Sequence, residues 1–275
     1  YFSLLFSVGE AFGFEIKTPW KDLKETQKNI LLNGSKEPIL IKVDSRYKQD
    51  SGFKRPFEGI LPILERQLNI IKKNQKNNVL IIAGPNKEKF LEFQVDIFED
   101  VEYKKHEQLG SLASINKIFD EDVIVIFSDI IFDEGIIKEI IKTECDFGIA
   151  LDQNWREKYI ERTDHPISQA DLVEIKDGKI RQIKKNLQGK DNSEFIGIVK
   201  FSSYGWKILI QLYNKLKENH EGSFHDANGF DDAYITDIIQ ELIELDYNIK
   251  PIFVKGNWLE IDTPQDLEIA SKKLD

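Results

Sequence analysis

The 275-residue chain contains no methionine and a single cysteine. One thiol, Cys145, excludes an intrachain disulfide and any zinc cluster built from several cysteines. It also suits a reducing cytoplasm, which is the expected location. Without an initiator, the chain is expected to be a fragment or a processed product. Long hydrophobic runs are missing too. The apolar stretches are strand-sized, well short of the roughly 20 residues that cross a bilayer, so no membrane partner is expected. Residues 1–6 are apolar but lack a basic flank and a small-residue cleavage site, which argues against a signal peptide. His106, His220 and His225 have no partners at metal-binding spacing, so the sequence assigns them no role.

Hydrophobic residues make up 41% of the chain, enough for one large domain or two smaller ones. Charge is uneven. Residues 1–66 carry 11 basic and 9 acidic side chains, and the remainder carries 27 and 39. The acidic part should not hold a polyanion through bulk charge. Local cations or a metal could still hold a small anion.

The first sixty-odd residues read as a small α+β segment. A short helix ends near Gly13. Thr18 and Pro19 look like a helix cap and first position. Asn33-Gly34-Ser35 is a turn, and strands are expected at residues 39–43 and near Phe53. From Ile63 the rhythm changes. NVLIIAG (78–84), DVIVIFS (122–128) and residues 147–151 read as buried strands. They alternate with helices at 87–93, 111–119 and 134–142. That alternation implies a Rossmann-like, mostly parallel sheet covered on both faces. Asp177-Gly178 signals a hairpin. Strands at 194–201, 249–254 and 259–261 and helices at 206–216 and 233–245 complete the pattern.

The stretch WLEIDTPQDL (258–267) places Glu260 and Asp262 at alternating positions, so both project from one strand face. Thr263 can cap the next helix, Pro264 fits its first position and Asp266 its first turn. A turn-starting acid, Asp129, follows DVIVIFS at a strand's carboxyl end, where ligands of such sheets gather. Asp129, Glu260 and Asp262 together would suit Mg²⁺, which prefers oxygen ligands and keeps part of its water. Taken alone, Glu260 and Asp262 read more readily as solvated acids at a strand–helix junction, and Asp129 as a plain turn-starting acid.

Two resemblances organise these features. YFSLL, AFGFEIKTPWKDL, ILLNGS and KRPFEGILPILER resemble a segment of UvrA, the excision-repair ATPase, over residues 1–66. The family's P-loop, signature and cysteine zinc modules are absent here, so its ATPase and metal functions are not carried over. Ser128-Asp129, DQNWREKYIERTDHPISQADLV, EFIGIVKFSSYGW, AYITDIIQELIE and WLEIDTPQDL resemble GT-A-like nucleotidyltransferases over residues 63–275. The phosphocholine and phosphonate cytidylyltransferases are the nearest subgroup. That resemblance implies Mg²⁺ held by Asp129, Glu260 and Asp262, with Asp129 and Asp262 catalytic. It implies Gly110 and Ser111 beside the nucleotide base. It also implies transfer of CMP from CTP to a small phosphorylated acceptor. Trp155, Tyr159 and Phe195 could face an acceptor ammonium, with Asp152 or Glu194 adding charge. Arg162 and His165 could donate to its phosphate. Core packing is the competing reading for the aromatics, and a Pro166-fixed loop for His165.

The resemblance also exposes a gap. Such enzymes begin with a strand and a glycine-rich phosphate loop, and residues 1–62 supply neither. Low activity is therefore expected, and the strand near Val79 would lack a neighbour unless residues 39–43 fill the place. An open edge would be a route to a homo-oligomer. A non-catalytic chimera and a DNA-repair module, with residues 1–66 contacting DNA, are the alternatives.

Overall fold

A computed structural model of the chain describes residues 2–15, 18, 22–42, 52–57, 59, 61–74, 78–85, 87–160, 162, 167–189, 191–262, 266 and 269–270. The N-terminal part holds helices α1 (Phe2–Phe12) and α2 (Glu25–Asn33), strands β1 (Ile39–Lys42) and β2 (Gly52–Arg55), and helix α3 (Leu61–Asn74). Then come β3 (Leu80–Ala83), β4 (Asp96–Glu99), α4 (Gln108–Ser114), β5 (Val123–Ile126), β6 (Ile130–Phe132), α5 (Glu134–Lys142), β7 (Phe147–Asp152) and the short α6 (Trp155–Tyr159). The chain continues with β8 (Asp171–Lys176), β9 (Lys179–Lys185), β10 (Ser193–Phe201), α7 (Ser203–Asn219), α8 (Ile235–Glu244), β11 (Ile249–Phe253) and β12 (Trp258–Glu260). The helix expected over 87–93 is a 3₁₀ segment, and α4 begins before Gly110 rather than at it.

β10 is the hub of the main sheet, whose order is β11-β7-β10-β8-β9 with β5 also on β10. All nine β10 residues are buried. Alternation sends Phe195, Val199 and Phe201 to one apolar cluster and Ile196 and Ile198 to another. α7 and α8 cover the first face. α5 covers the second with Ile136, Ile137 and Ile140, spaced for one helical face. The expected α/β architecture is present, but the pairing sense differs. Among the described pairs, only β7–β11 and β3–β4 are parallel. β10 runs antiparallel to β5, β7 and β8. An apolar run reports burial on both faces, and a central antiparallel strand is buried as fully as a parallel one. The β8–β9 hairpin turns at Asp177 and Gly178, whose φ of 54° and 73° suit a type I′ turn.

β1 pairs with β2 and not with β3, so residues 39–42 do not restore the missing neighbour. Among the described residues, β3 pairs only with β4, and β5 only with β10. The N-terminal segment nevertheless does not stand alone. Val8, Leu23, Leu31, Ile39, Phe57 and Ile63 share one core with Ile131, Leu259, Ile261 and Ala270. Its apolar face is buried against β6 and β12.

Candidate active site

Asp129 sits in the tight turn between β5 and β6, and four hydrogen bonds fix that turn. Gln67, buried on α3, donates its side-chain amide to the carbonyl of Phe127 (2.9 Å) and to that of Ile130. The Phe127 amide donates to the Gly197 carbonyl at 3.1 Å, and the Ile261 amide to the Asp129 carbonyl at 2.8 Å. Gly197 has φ +73°, and a Cβ there would lie 2.1 Å from the Ile130 side chain. Only glycine lets β10 pass this close to the turn. β6 pairs with β12 in a register that sets Glu260 opposite Ile130. The turn and the end of β12 are thereby joined.

This pairing brings Asp129, Glu260 and Asp262 together. One carboxylate oxygen from each lies within 4.8 Å of the other two. Asp129 Oδ1 is buried with no hydrogen-bond partner among the described residues. Burial raises the Asp129 pKa, and Asp262 adds to the shift. Burial, then Asp262 and Asp129, pushes Glu260 up to about 9. Three acids gathered this way repel one another, and a hard divalent cation would relieve the repulsion. An orphaned buried oxygen within an all-oxygen set fits such an ion.

Arg162 and Asp266 brace the same loop from behind. Arg162 Nε donates to Asp266 Oδ1 at 2.6 Å, and Nη2 to the Glu260 carbonyl at 3.2 Å. Asp266 Oδ2 accepts from the Asp262 amide at 3.2 Å. Arg162 is 3% exposed. The expectation that it reaches an acceptor phosphate is corrected: its guanidinium is committed to the loop that carries the acids.

The expected acceptor aromatics are core residues in part. Trp155 is buried, its indole N–H donating to the Asn192 carbonyl at 2.8 Å. Phe195 packs edge-on against Phe127. For both, the core-packing reading holds. Tyr159 donates its hydroxyl to Glu194 Oε1 at 2.5 Å, while Glu194 Oε2 is buried with no hydrogen-bond partner among the described residues. Burial pushes the Glu194 pKa up to about 8. Asp152, paired with Glu194 across β7 and β10, accepts from the Trp258 indole at 2.8 Å and contacts Lys158 at 3.0 Å. Gly110 and Ser111 lie inside α4, not in a loop. Ser111 Oγ donates to Asp100 Oδ2 at 2.8 Å, and Gly110 packs on the His106 ring. His165, Thr263 and Pro264 lie outside the described residues.

Sequence reasoning missed Gln67 and Gly197. A lone glycine inside the apolar run of β10 was a readable signal of close approach. Gln67 left none. His225, assigned no role, gains partners from the next α-helix, Glu241 and Glu244.

The fold of the chain is shared with solved structures of low sequence identity. The inositol-1-phosphate CTP transferase of T. maritima superposes with a TM-score of 0.57 at 15% identity, over 84% of this chain and 87% of that one. The CTP:phosphocholine cytidylyltransferase of Streptococcus pneumoniae gives 0.55 at 17%, over 86% and 89%. In sequence, the CTP:phosphoglutamine cytidylyltransferase of Campylobacter jejuni is 28% identical over 155 residues, which are 56% of this chain and 60% of that relative. This chain thus spans less than two thirds of that relative's length. Residues 1–80 match the family described as UvrA DNA-binding domain. UvrABC system protein A of Synechocystis is 46% identical over 88 residues, 31% of this chain and 9% of that protein. Both resemblances read from the sequence are therefore present in one chain.

Proposed function

We propose that this chain is a nucleotidyltransferase of cytidylyltransferase type. It would transfer CMP from CTP to a small phosphorylated amine or alcohol, or to a phosphonate, and release pyrophosphate. The observation carrying this reading is the convergence of Asp129, Glu260 and Asp262 around a buried, unpaired Asp129 oxygen. The names of the relatives favour CTP as the nucleotide.

When bound, Mg²⁺ would offset charge developing on the α-phosphate. The three acids would hold it, and Glu260 must give up its proton to do so. Gln67, Arg162 and Asp266 keep the acids in place, so little reorganisation accompanies the reaction. An acceptor oxygen attacks the α-phosphorus, the bond to the bridging oxygen breaks, and pyrophosphate leaves with that electron pair. The unpaired Glu194 oxygen beside Tyr159 is suited to a hydrogen-bond donor on the acceptor. Gly110 and Ser111 remain the candidates for the base. The chain offers no glycine-rich phosphate loop, so turnover is expected to be slow.

Calorimetry with CTP and Mg²⁺, paired with pyrophosphate release on phosphocholine, tests the reading. Mg²⁺-dependent CTP binding that disappears in Asp129→Ala and Asp262→Ala is expected. CTP binding indifferent to Mg²⁺ and to both substitutions would sink it. The family match of residues 1–80 favours a second reading, a DNA-contacting module. Against it stand a net charge of only +2 over residues 1–66 and an apolar face spent on β6 and β12. Salt-sensitive DNA binding by the whole chain, unaffected by CTP, would support that reading instead.

A further inference from the structure

We propose that His225, Glu241 and Glu244 form a second divalent-cation site, with the chemistry of Zn²⁺ rather than Mg²⁺. His225 is at the tip of the turn closed by Phe224 and Ala227, whose amides and carbonyls exchange bonds of 3.0 and 2.9 Å. It holds φ +50°, a left-handed conformation uncommon for a residue with a side chain. Its ring packs edge-on against Phe224, with centroids 4.6 Å apart, and is thereby presented to α8. Nε2 lies 2.9 Å from Glu241 Oε2, and Nδ1 lies 3.7 Å from Glu244 Oε1. The two glutamates are three residues apart, so they share a helical face.

One ligand atom from each of the three residues lies within 4.8 Å of the other two. Metal–ligand distances of 2.0–2.2 Å separate tetrahedral ligands by about 3.4 Å. Closing the set on one imidazole nitrogen needs Glu244, whose side chain is 58% exposed, to swing from Nδ1 toward the Nε2 that Glu241 already faces. The carboxylate that moves is already oriented. The Gln240 side-chain amide donates to Glu244 Oε1 at 2.9 Å, and its carbonyl is anchored by the Ile183 amide at 3.0 Å. Such outer bonds steer ligands toward a metal. A cavity of about 170 Å³, lined by His225, Glu244, Asp171 and Lys184 among others, adjoins the cluster. It leaves space for waters to complete the coordination. One imidazole nitrogen with two carboxylates selects a borderline ion, Zn²⁺ or Co²⁺, over Mg²⁺ and Ca²⁺. The site shares no residue with the Asp129 cluster.

The test titrates the whole chain, stripped with chelator, with Co²⁺ as a coloured stand-in for Zn²⁺. It is done in the Asp129→Asn variant, so that the carboxylate cluster contributes little. One equivalent of Co²⁺ is expected, with visible absorption abolished by Zn²⁺ and unmoved by excess Mg²⁺. Two further changes, His225→Gly and Glu241→Gln, should each weaken binding at least about tenfold. Glycine suits the left-handed turn, so His225→Gly should keep the circular dichroism and thermal midpoint of its parent. The proposal fails if Asp129→Asn binds no Co²⁺, or if affinity is unchanged in folded His225→Gly.

Discussion

Replacing Glu260 by glutamine should move stability in opposite directions with and without metal. Burial, with Asp262 and Asp129 close by, pushes its carboxyl up to about 9 from an ordinary value of 4.5. Such a group contributes fully below pH 4.5, and the contribution is lost as pH rises toward 9. At pH 7 the native state must hold a proton that the unfolded chain has released. At 1.36 kcal/mol per pH unit, that costs about 3 kcal/mol. Coulomb repulsion gives the same scale: two charges 4.8 Å apart at an effective dielectric of 20 repel by about 3.5 kcal/mol. Glutamine copies the neutral form and needs no proton. Partial solvent access reduces the gain, so Glu260→Gln should stabilise the metal-free protein by about 1–3 kcal/mol at pH 7. For a chain of this length that is a rise of about 2–5 °C in thermal midpoint. In Mg²⁺ at tenfold its Kd, the parent should gain about 1.4 kcal/mol and the variant very little. Thermal melts in chelator and in Mg²⁺, at pH 5, 7 and 9, measure both effects. A variant that is less stable in chelator, or that responds to Mg²⁺ as the parent does, refutes the reasoning.

Gln67→Leu should cost about 1–3 kcal/mol, because two buried carbonyls beside Asp129 lose their donor. The denaturant midpoint reads the loss, and Mg²⁺ affinity should fall with it. Phe57→Ala should cost about 3–5 kcal/mol and keep a single thermal transition, since Phe57 lies in the core shared with β6 and β12. A separate early transition for the N-terminal segment would contradict that shared core. Glu194 has a folded pKa of about 8, so its stabilisation is present below pH 4.5 and lost toward pH 8. Glu194→Gln should therefore flatten the decline in stability between pH 5 and pH 8, as read from urea midpoints at each end.

Much of the fold is legible in local pattern. The apolar runs at β7 and β10, the Asp177-Gly178 hairpin and the amphipathic helices α5, α7 and α8 follow from periodicity and turn chemistry. Two short strands, β4 and β6, escaped notice because three or four residues leave too little pattern. Pairing sense is not legible in the apolar runs, because they carry no direction. The three acids were legible by type and by their place at strand ends. The commitment of Arg162 to Asp266 was not, because 104 residues separate them.

By itself the sequence determined the layered α/β character, the two resemblances and which acids could act together. It also holds no glycine-rich run within residues 1–62. Only the tertiary structure decided that β6 and β12 pair, and with that pairing that the acids converge. It also decided that Gln67 and Gly197 hold the Asp129 turn, and that Val8, Leu23, Leu31, Ile39 and Phe57 share a core with the strands carrying the site. The division has one physical reason. Periodicity and turn preference are written within a few residues, whereas convergence depends on register between strands more than a hundred residues apart.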